Sequence, residues 1–278
     1  MKNQILRLTR PYMHGTAVKR IQEYLDVDPL DGIYGAQTAK AVMGFQRAKG
    51  LEVDGVVGPR TWKAFRGLDL SGGVPGEIFN LTAKHPRPKN YGYYRSWENI
   101  TGVTLHQTGC DMPKSPNKWS RLNAHYGITR EGLIVHVNDE TDMIWHAQAL
   151  SKKTIGIEIE GNFPGIIGDM STLWKGGGSA CRMTKQQLFA SRVLFDYIAD
   201  RFLRNGSVWR HVYAHRQSSD MRTADPGENI WGEVGIPWGN QLFLKNGETP
   251  DGGPGFKLGK GKPIPRDWDE RRTAKYYG

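Results

Sequence analysis

Apolar positions in the first 66 residues recur at helical spacing. Val18, Ile21, Gln22 and Leu25 fall on one face of a helix, and Ala39, Val42, Phe45 and Gln46 on one face of another. The octet Asp31-Gly32-Ile33-Tyr34-Gly35-Ala36-Gln37-Thr38 returns 23 residues later as Asp54-Gly55-Val56-Val57-Gly58-Pro59-Arg60-Thr61. In both copies Asp-Gly and a second Gly predict a turn, and the Thr is expected as the N-cap or a first-turn residue of the helix that follows. Residues 1–66 therefore read as a small all-α domain of three helices.

Residues 67–89 shift to Gly, Pro and polar residues, including Ser71-Gly72-Gly73-Val74-Pro75-Gly76 and His85-Pro86-Arg87-Pro88, and read as a linker. Alternating, β-branched stretches at Ile100–His106, Gly132–Asn138, Thr154–Ile159 and Val208–Ala214 then predict strands. Thr184 is expected to cap a long helix with Leu188, Val193, Leu194, Ile198 and Phe202 on its apolar face, ending at Asn205-Gly206. Strands mixed with helices over residues 90–240 predict an α/β domain around one central sheet. The last segment, 241–278, is rich in Gly, Pro and Lys, and its sequence leaves open whether it docks or hangs free.

Composition narrows the classes. The 278 residues include nine Trp, eleven Tyr and nine Phe with 24% charged residues, too aromatic and apolar for a disordered chain. Two Cys cannot build a disulfide framework, and Cys110 and Cys181 are most simply free thiols, a bridge between them depending on geometry. The first fifteen residues lack an apolar run of signal-peptide length, and no stretch of about 18 apolar residues occurs, so a soluble chain made in the cytoplasm is expected. A formal net charge of +10 suits an anionic partner, whether nucleic acid, phospholipid or a bacterial envelope polymer. A reader motif for nucleic acid is missing, so no specific nucleic-acid partner is expected.

The chemistry concentrates in histidines at strand ends. His106 closes one predicted strand and opens into Gln107-Thr108-Gly109, while His215 closes another, with Asp225 ten residues on before Pro226-Gly227. A hydrolytic zinc site takes three such protein ligands and keeps one position open. By spacing alone a plain turn and two solvated histidines are the commoner reading of such a trio.

Five ordered motifs then carry a resemblance. They are Leu105-His106-Gln107-Thr108-Gly109, Ala124-His125-Tyr126-Gly127-Ile128, Trp145-His146-Ala147, Ile155-Gly156-Ile157-Glu158-Ile159-Glu160-Gly161, and Ala214-His215 with Asp225-Pro226-Gly227. Residues 98–232 resemble the zinc-dependent N-acetylmuramoyl-L-alanine amidases of the type 2 family, and residues 5–65 resemble the three-helix bacterial peptidoglycan-binding domain. The resemblance implies a mixed central sheet flanked by helices, with zinc held by His106, His215 and Asp225. It also implies that Glu158 positions or deprotonates the attacking water. Strand alternation puts Glu160 on the same face as Glu158, which makes Glu160 the rival, with a structural or solvated acid as its other reading.

Two positions depart from parts of that family. Thr223 stands where some members carry Lys, so its hydroxyl is expected either to help stabilise the oxyanion or to be structural, with Arg222 beside it as a source of charge. Ala124 stands where another branch carries a catalytic Tyr. His125, Tyr126, Trp145 and His146 are expected to be scaffold or pocket wall, His146 being the one expected to touch substrate together with Arg222. The implied whole is a monomeric cell-wall hydrolase that cuts the muramic acid to L-alanine amide of peptidoglycan. An endolysin of phage type, acting on the wall after release, fits the compact modular design. A host autolysin and a non-catalytic peptidoglycan-recognition protein are the rival readings.

Overall fold

The structure is a computed structural model that describes residues 5–65, 76–82, 91–239, 256–265 and 267–269. It divides into two compact units between residues 74 and 75.

In the first unit, α1 (Thr16–Tyr24), α2 (Ala36–Ala48) and α3 (Pro59–Phe65) enclose a core of Leu6, Val18, Ile21, Tyr34, Ala39, Val42, Val57 and Phe65. The sequence repeat is a repeated clasp. The Gln22 amide nitrogen donates to Asp31 at 2.8 Å and to the Thr38 hydroxyl at 3.1 Å, while the Gly32 N–H donates to the Gln22 carbonyl oxygen at 2.8 Å. Gln46 repeats this with Asp54 at 2.7 Å, Thr61 at 3.1 Å and Gly55 at 2.9 Å. Both glutamines are buried, and the clasp satisfies the polar atoms that burial would otherwise leave costly. Thr38 and Thr61 sit in the first turns of α2 and α3 and donate back to the Ile33 and Val56 carbonyls, so they are clasp members and not N-caps.

The second unit holds a six-stranded mixed sheet in the order β1-β5-β4-β7-β3-β8. The strands are β1 (Ile78–Asn80), β3 (Gly102–Gln107), β4 (Tyr126–Ile128), β5 (Ile134–His136), β7 (Thr154–Ile159) and β8 (His211–Ala214). Only β4 and β5 pair antiparallel. A separate antiparallel pair joins β2 (Tyr91–Tyr94) and β6 (Asp142–Ile144). All of β3 and nearly all of β7 is buried, as expected of parallel strands covered on both faces. Helix α4 (Lys185–Arg204) packs Ala190, Val193, Leu194, Phe195, Ile198 and Phe202 onto the core. Its start is set by a capping box: the Gln187 N–H donates to the Thr184 hydroxyl at 3.0 Å and the Thr184 N–H to the Gln187 side chain at 3.1 Å. Losing such a cap costs about 1 kcal/mol.

Two sequence expectations change. Strand β1 lies inside the stretch read as linker, because three residues paired through main-chain bonds to β5 leave no side-chain period to detect; the Leu81 N–H donates to the His136 carbonyl, and the Ile134 N–H to that of Glu77. The rest of that stretch, 67–75 and 83–89, lies outside the described residues. In the C-terminal segment, the described residues are docked. Ile264 and Trp268 join the main core, and Phe256 and Leu258 pack with Tyr213.

Candidate active site

Strands β3 and β8 are parallel neighbours with Leu105 opposite Ala214, so the next residue of each chain, His106 and His215, emerges at the same sheet edge. Asp225 is brought to them by backbone bonds: the Arg216 N–H donates to the Asp225 carbonyl at 2.8 Å, and the Gln107 N–H to the Asp225 carboxylate at 3.0 Å. The ligating atoms of the three side chains lie within 4.8 Å of one another, all buried. His106 Nδ1 is 3.1 Å from His215 Nδ1, His215 Nδ1 is 2.8 Å from Asp225 Oδ2, and His106 Nδ1 is 3.8 Å from Asp225 Oδ1. Tetrahedral N and O ligands with bonds of roughly 2.0–2.2 Å stand about 3.3 Å apart, so this donor set fits one small cation.

The hydrogen bonds around His106 fix which of its nitrogens is bare. His146 Nε2 faces the Thr154 carbonyl at 3.3 Å and must carry the proton, which leaves His146 Nδ1 to accept from His106 Nε2 at 2.9 Å. His106 Nδ1 is then a lone pair aimed at His215 and Asp225. His146, expected to touch substrate, is instead buried behind the ligand with both nitrogens engaged. It fits there because residue 156 on β7 is Gly: a Cβ at that position would lie 2.8 Å from the His146 ring.

Electrostatics follow burial. Burial drives His106 and His146 below the ordinary histidine range, so both favour the neutral, ligating form. For Asp225, burial alone would raise the carboxyl, but the imidazoles that face it, His215 first and then His106, outweigh burial and hold the group well below the usual carboxylate range. Glu158 goes the other way. It lies opposite His106 in the β3–β7 register, and burial, reinforced by the negative charge of Asp225, raises its carboxyl well above the ordinary range against the pull of Arg222. Its Oε2 is buried with no hydrogen-bond partner among the described residues.

The rival acid is occupied. Glu160 accepts the N–H of Met112 at 2.7 Å and of Arg130 at 2.8 Å, a structural role at the start of the loop after β7. Arg222 lies with its guanidinium carbon 4.6 Å from the centre of the Trp174 ring, and Thr223 is exposed. His125 is scaffold: Nδ1 accepts the Gly156 N–H at 2.9 Å, so Nε2 donates to the Asp142 carbonyl at 2.8 Å. Tyr126 is scaffold too, its hydroxyl donating to the buried Glu140, which also pairs with Arg201 at 2.8 Å. Trp145 is exposed, and Cys110 and Cys181 are unbridged. Gln107 was missed as a site residue, although it adjoins His106 in sequence. Trp174 was missed because its loop carries no period.

A family model described as "N-acetylmuramoyl-L-alanine amidase" matches residues 96–228, and one described as "Putative peptidoglycan binding domain" matches residues 14–65. The amidase match lies wholly within the second unit and the peptidoglycan-binding match wholly within the first. A probable N-acetylmuramoyl-L-alanine amidase of Bacillus licheniformis is 40% identical over 68 residues, 20% of this chain and 19% of the relative. A Kitasatospora aureofaciens protein described as an uncharacterized protein in the bpoA1 3' region is 44% identical over 55 residues, 17% of this chain and 46% of its own length. The chain thus spans less than half the length of either curated relative. Among solved structures, the endolysin amidase LysCS from Clostridium intestinale URNW is 18% identical, with 61% of this chain and 94% of that one covered and a TM-score of 0.40. Drosophila PGRP-LB is 17% identical, with coverage of 57% and 92% and a TM-score of 0.42.

The amidase match holds His106, His215, Asp225 and Glu158 and stops short of the docked segment at 256–269. That segment lies directly against the turn that begins at His215. The Leu258 N–H donates to the Gln217 carbonyl at 2.7 Å, the Lys262 N–H to the Arg216 carbonyl at 2.8 Å, and Arg216 stacks on Trp268 at 4.6 Å. Close approach there needs glycine, since a Cβ on residue 261 would fall 2.1 Å from the Gln217 carbonyl oxygen.

Proposed function

We propose that this chain is a modular peptidoglycan hydrolase that uses zinc to cleave the amide between the lactyl group of N-acetylmuramic acid and L-alanine of the stem peptide. The convergence of His106, His215 and Asp225 from distant stretches of sequence onto one small volume carries this reading. Zinc, when bound, would supply a Lewis acid for the scissile carbonyl and a nucleophile at neutral pH.

The chain's own groups supply the rest. Two neutral imidazoles and one carboxylate hold the ion with a single negative charge, and the Gln107 N–H keeps Asp225 in place. Glu158, raised by burial, takes a proton from the attacking water and returns it to the leaving amine, work typically worth about 10²–10⁴ in rate. Arg222 or Thr223 would stabilise the oxyanion, Arg222 by charge and Thr223 by a hydrogen bond only. Residues 1–66 would hold the enzyme on the insoluble polymer and so raise its effective concentration there.

Digestion of purified sacculi, with products identified by mass spectrometry, tests the bond cut. New L-alanine amino termini that disappear with a chelator are expected. New reducing sugar ends, or release unaffected by the chelator, would overturn the assignment.

A further inference from the structure

The second imidazole of the metal site has its own partner, outside the sequence motifs. His215 presents Nδ1 to His106 and Asp225, while its Nε2 lies 3.0 Å from the side-chain carbonyl oxygen of Gln148. A carbonyl oxygen can only accept, so this contact places the proton on Nε2 and leaves Nδ1 as a lone pair. His146 does the same for His106, two residues earlier. One short segment therefore sets the tautomer of both imidazoles.

That segment is held for the purpose. The N–H groups of His146 and Ala147 both donate to the Ser151 hydroxyl, at 3.0 and 2.7 Å, and the Ser218 hydroxyl donates to the Ala147 carbonyl at 2.8 Å. Gln148 itself adopts φ of +46°, a left-handed backbone that is costly for a residue with a Cβ. This conformation turns its amide towards His215. Gln148 is exposed, so its side chain fills no core and packing alone does not explain the contact.

We propose that Gln148 is a positioning residue that fixes His215 as the Nε2–H tautomer and so raises the affinity of the His106–His215–Asp225 site for its cation. The inference rests on the metal-site reading given above. Without the Gln148 acceptor, His215 is free to put its proton on Nδ1 and donate it to Asp225, 2.8 Å away, which removes one ligand from the site.

Zinc affinity of the full chain, measured by competition with a chromophoric chelator, tests this without recourse to turnover. Gln148→Met keeps the length of the side chain but loses the strong acceptor, and Gln148→Glu keeps an acceptor. Outer-shell partners of this kind are typically worth about 10–100-fold in metal affinity, so the Met variant is expected to bind zinc at least about tenfold more weakly, with the Glu variant close to wild type. Equal urea midpoints of the three zinc-free proteins establish that the fold is unchanged. Wild-type affinity in the Met variant, or equal weakening in both variants, would overturn the role of Gln148. A wild-type chain that binds no zinc would overturn the metal-site reading itself, and this inference with it.

Discussion

Glu158 and His125 show how burial can serve opposite ends within one sheet. Glu158 is a carboxyl that burial and a neighbouring negative charge make easy to protonate, which suits the proton carrier proposed above. Glu158→Gln is expected to keep zinc and fold while lowering turnover of sacculi by about 10²–10⁴; wild-type rates would move the proton work elsewhere. His125 is held neutral, chiefly by burial and then by the charge of Arg95, well below its ordinary value of 6.5. The unfolded chain protonates it below that pH and the folded chain does not. Its contribution is therefore present above about pH 6.5 and lost as pH falls. In urea unfolding from pH 7 to 5, the stability advantage of wild type over His125→Gln should shrink, by about 1.4 kcal/mol per pH unit once below 6.5. A pH-independent difference would contradict the neutral assignment. Residue identities were legible where a motif named them, as with His106, His215 and Asp225. The bonds of His146 to His106 and Thr154 come from packing across β7, which no motif spells out, and Gln148 carried no signal.

At the scale of elements, long amphipathic segments were legible, and short strands only where a longer alternating stretch surrounds them, as at β5 and β8. Helix α4 announced itself by period and by a Thr-x-x-Gln cap, and β3 and β7 by alternating, β-branched stretches. Strands β1, β2, β4 and β6 have three or four residues each, too few for a period, and main-chain pairing defines them. The docked C-terminal segment was open for the same reason: its anchors, Ile264 and Trp268, stand singly among Gly, Pro and Lys. Ending the chain at residue 255 removes both side chains from the core, at about 1.5–3 kcal/mol each. It also takes the backbone partners from Arg216 and Gln217, beside the ligand His215. A lowered urea midpoint together with weaker zinc binding is expected, and unchanged values in both would show the segment to be an ornament of the fold.

For the whole molecule, the proposed function divides the labour between the two units, adsorption in the first and chemistry in the second. The first is built on a duplicated Gln–Asp–Thr clasp that fixes its turns. The second gathers His106, His215 and Asp225 at one sheet edge. Removing residues 1–66 should lower the fraction of enzyme sedimenting with sacculi while leaving hydrolysis of a soluble muropeptide unchanged; equal sedimentation would remove the anchoring role. If the basic net charge of +10 contributes to the proposed adsorption, added salt should weaken it.

The central claim is that the buried trio holds one catalytic ion, and metal analysis after equilibrium dialysis against zinc tests it most directly. One zinc per wild-type chain and none in His106→Ala or Asp225→Ala is the predicted result. A wild-type chain that emerges metal-free, or variants that retain the full equivalent, would contradict the account.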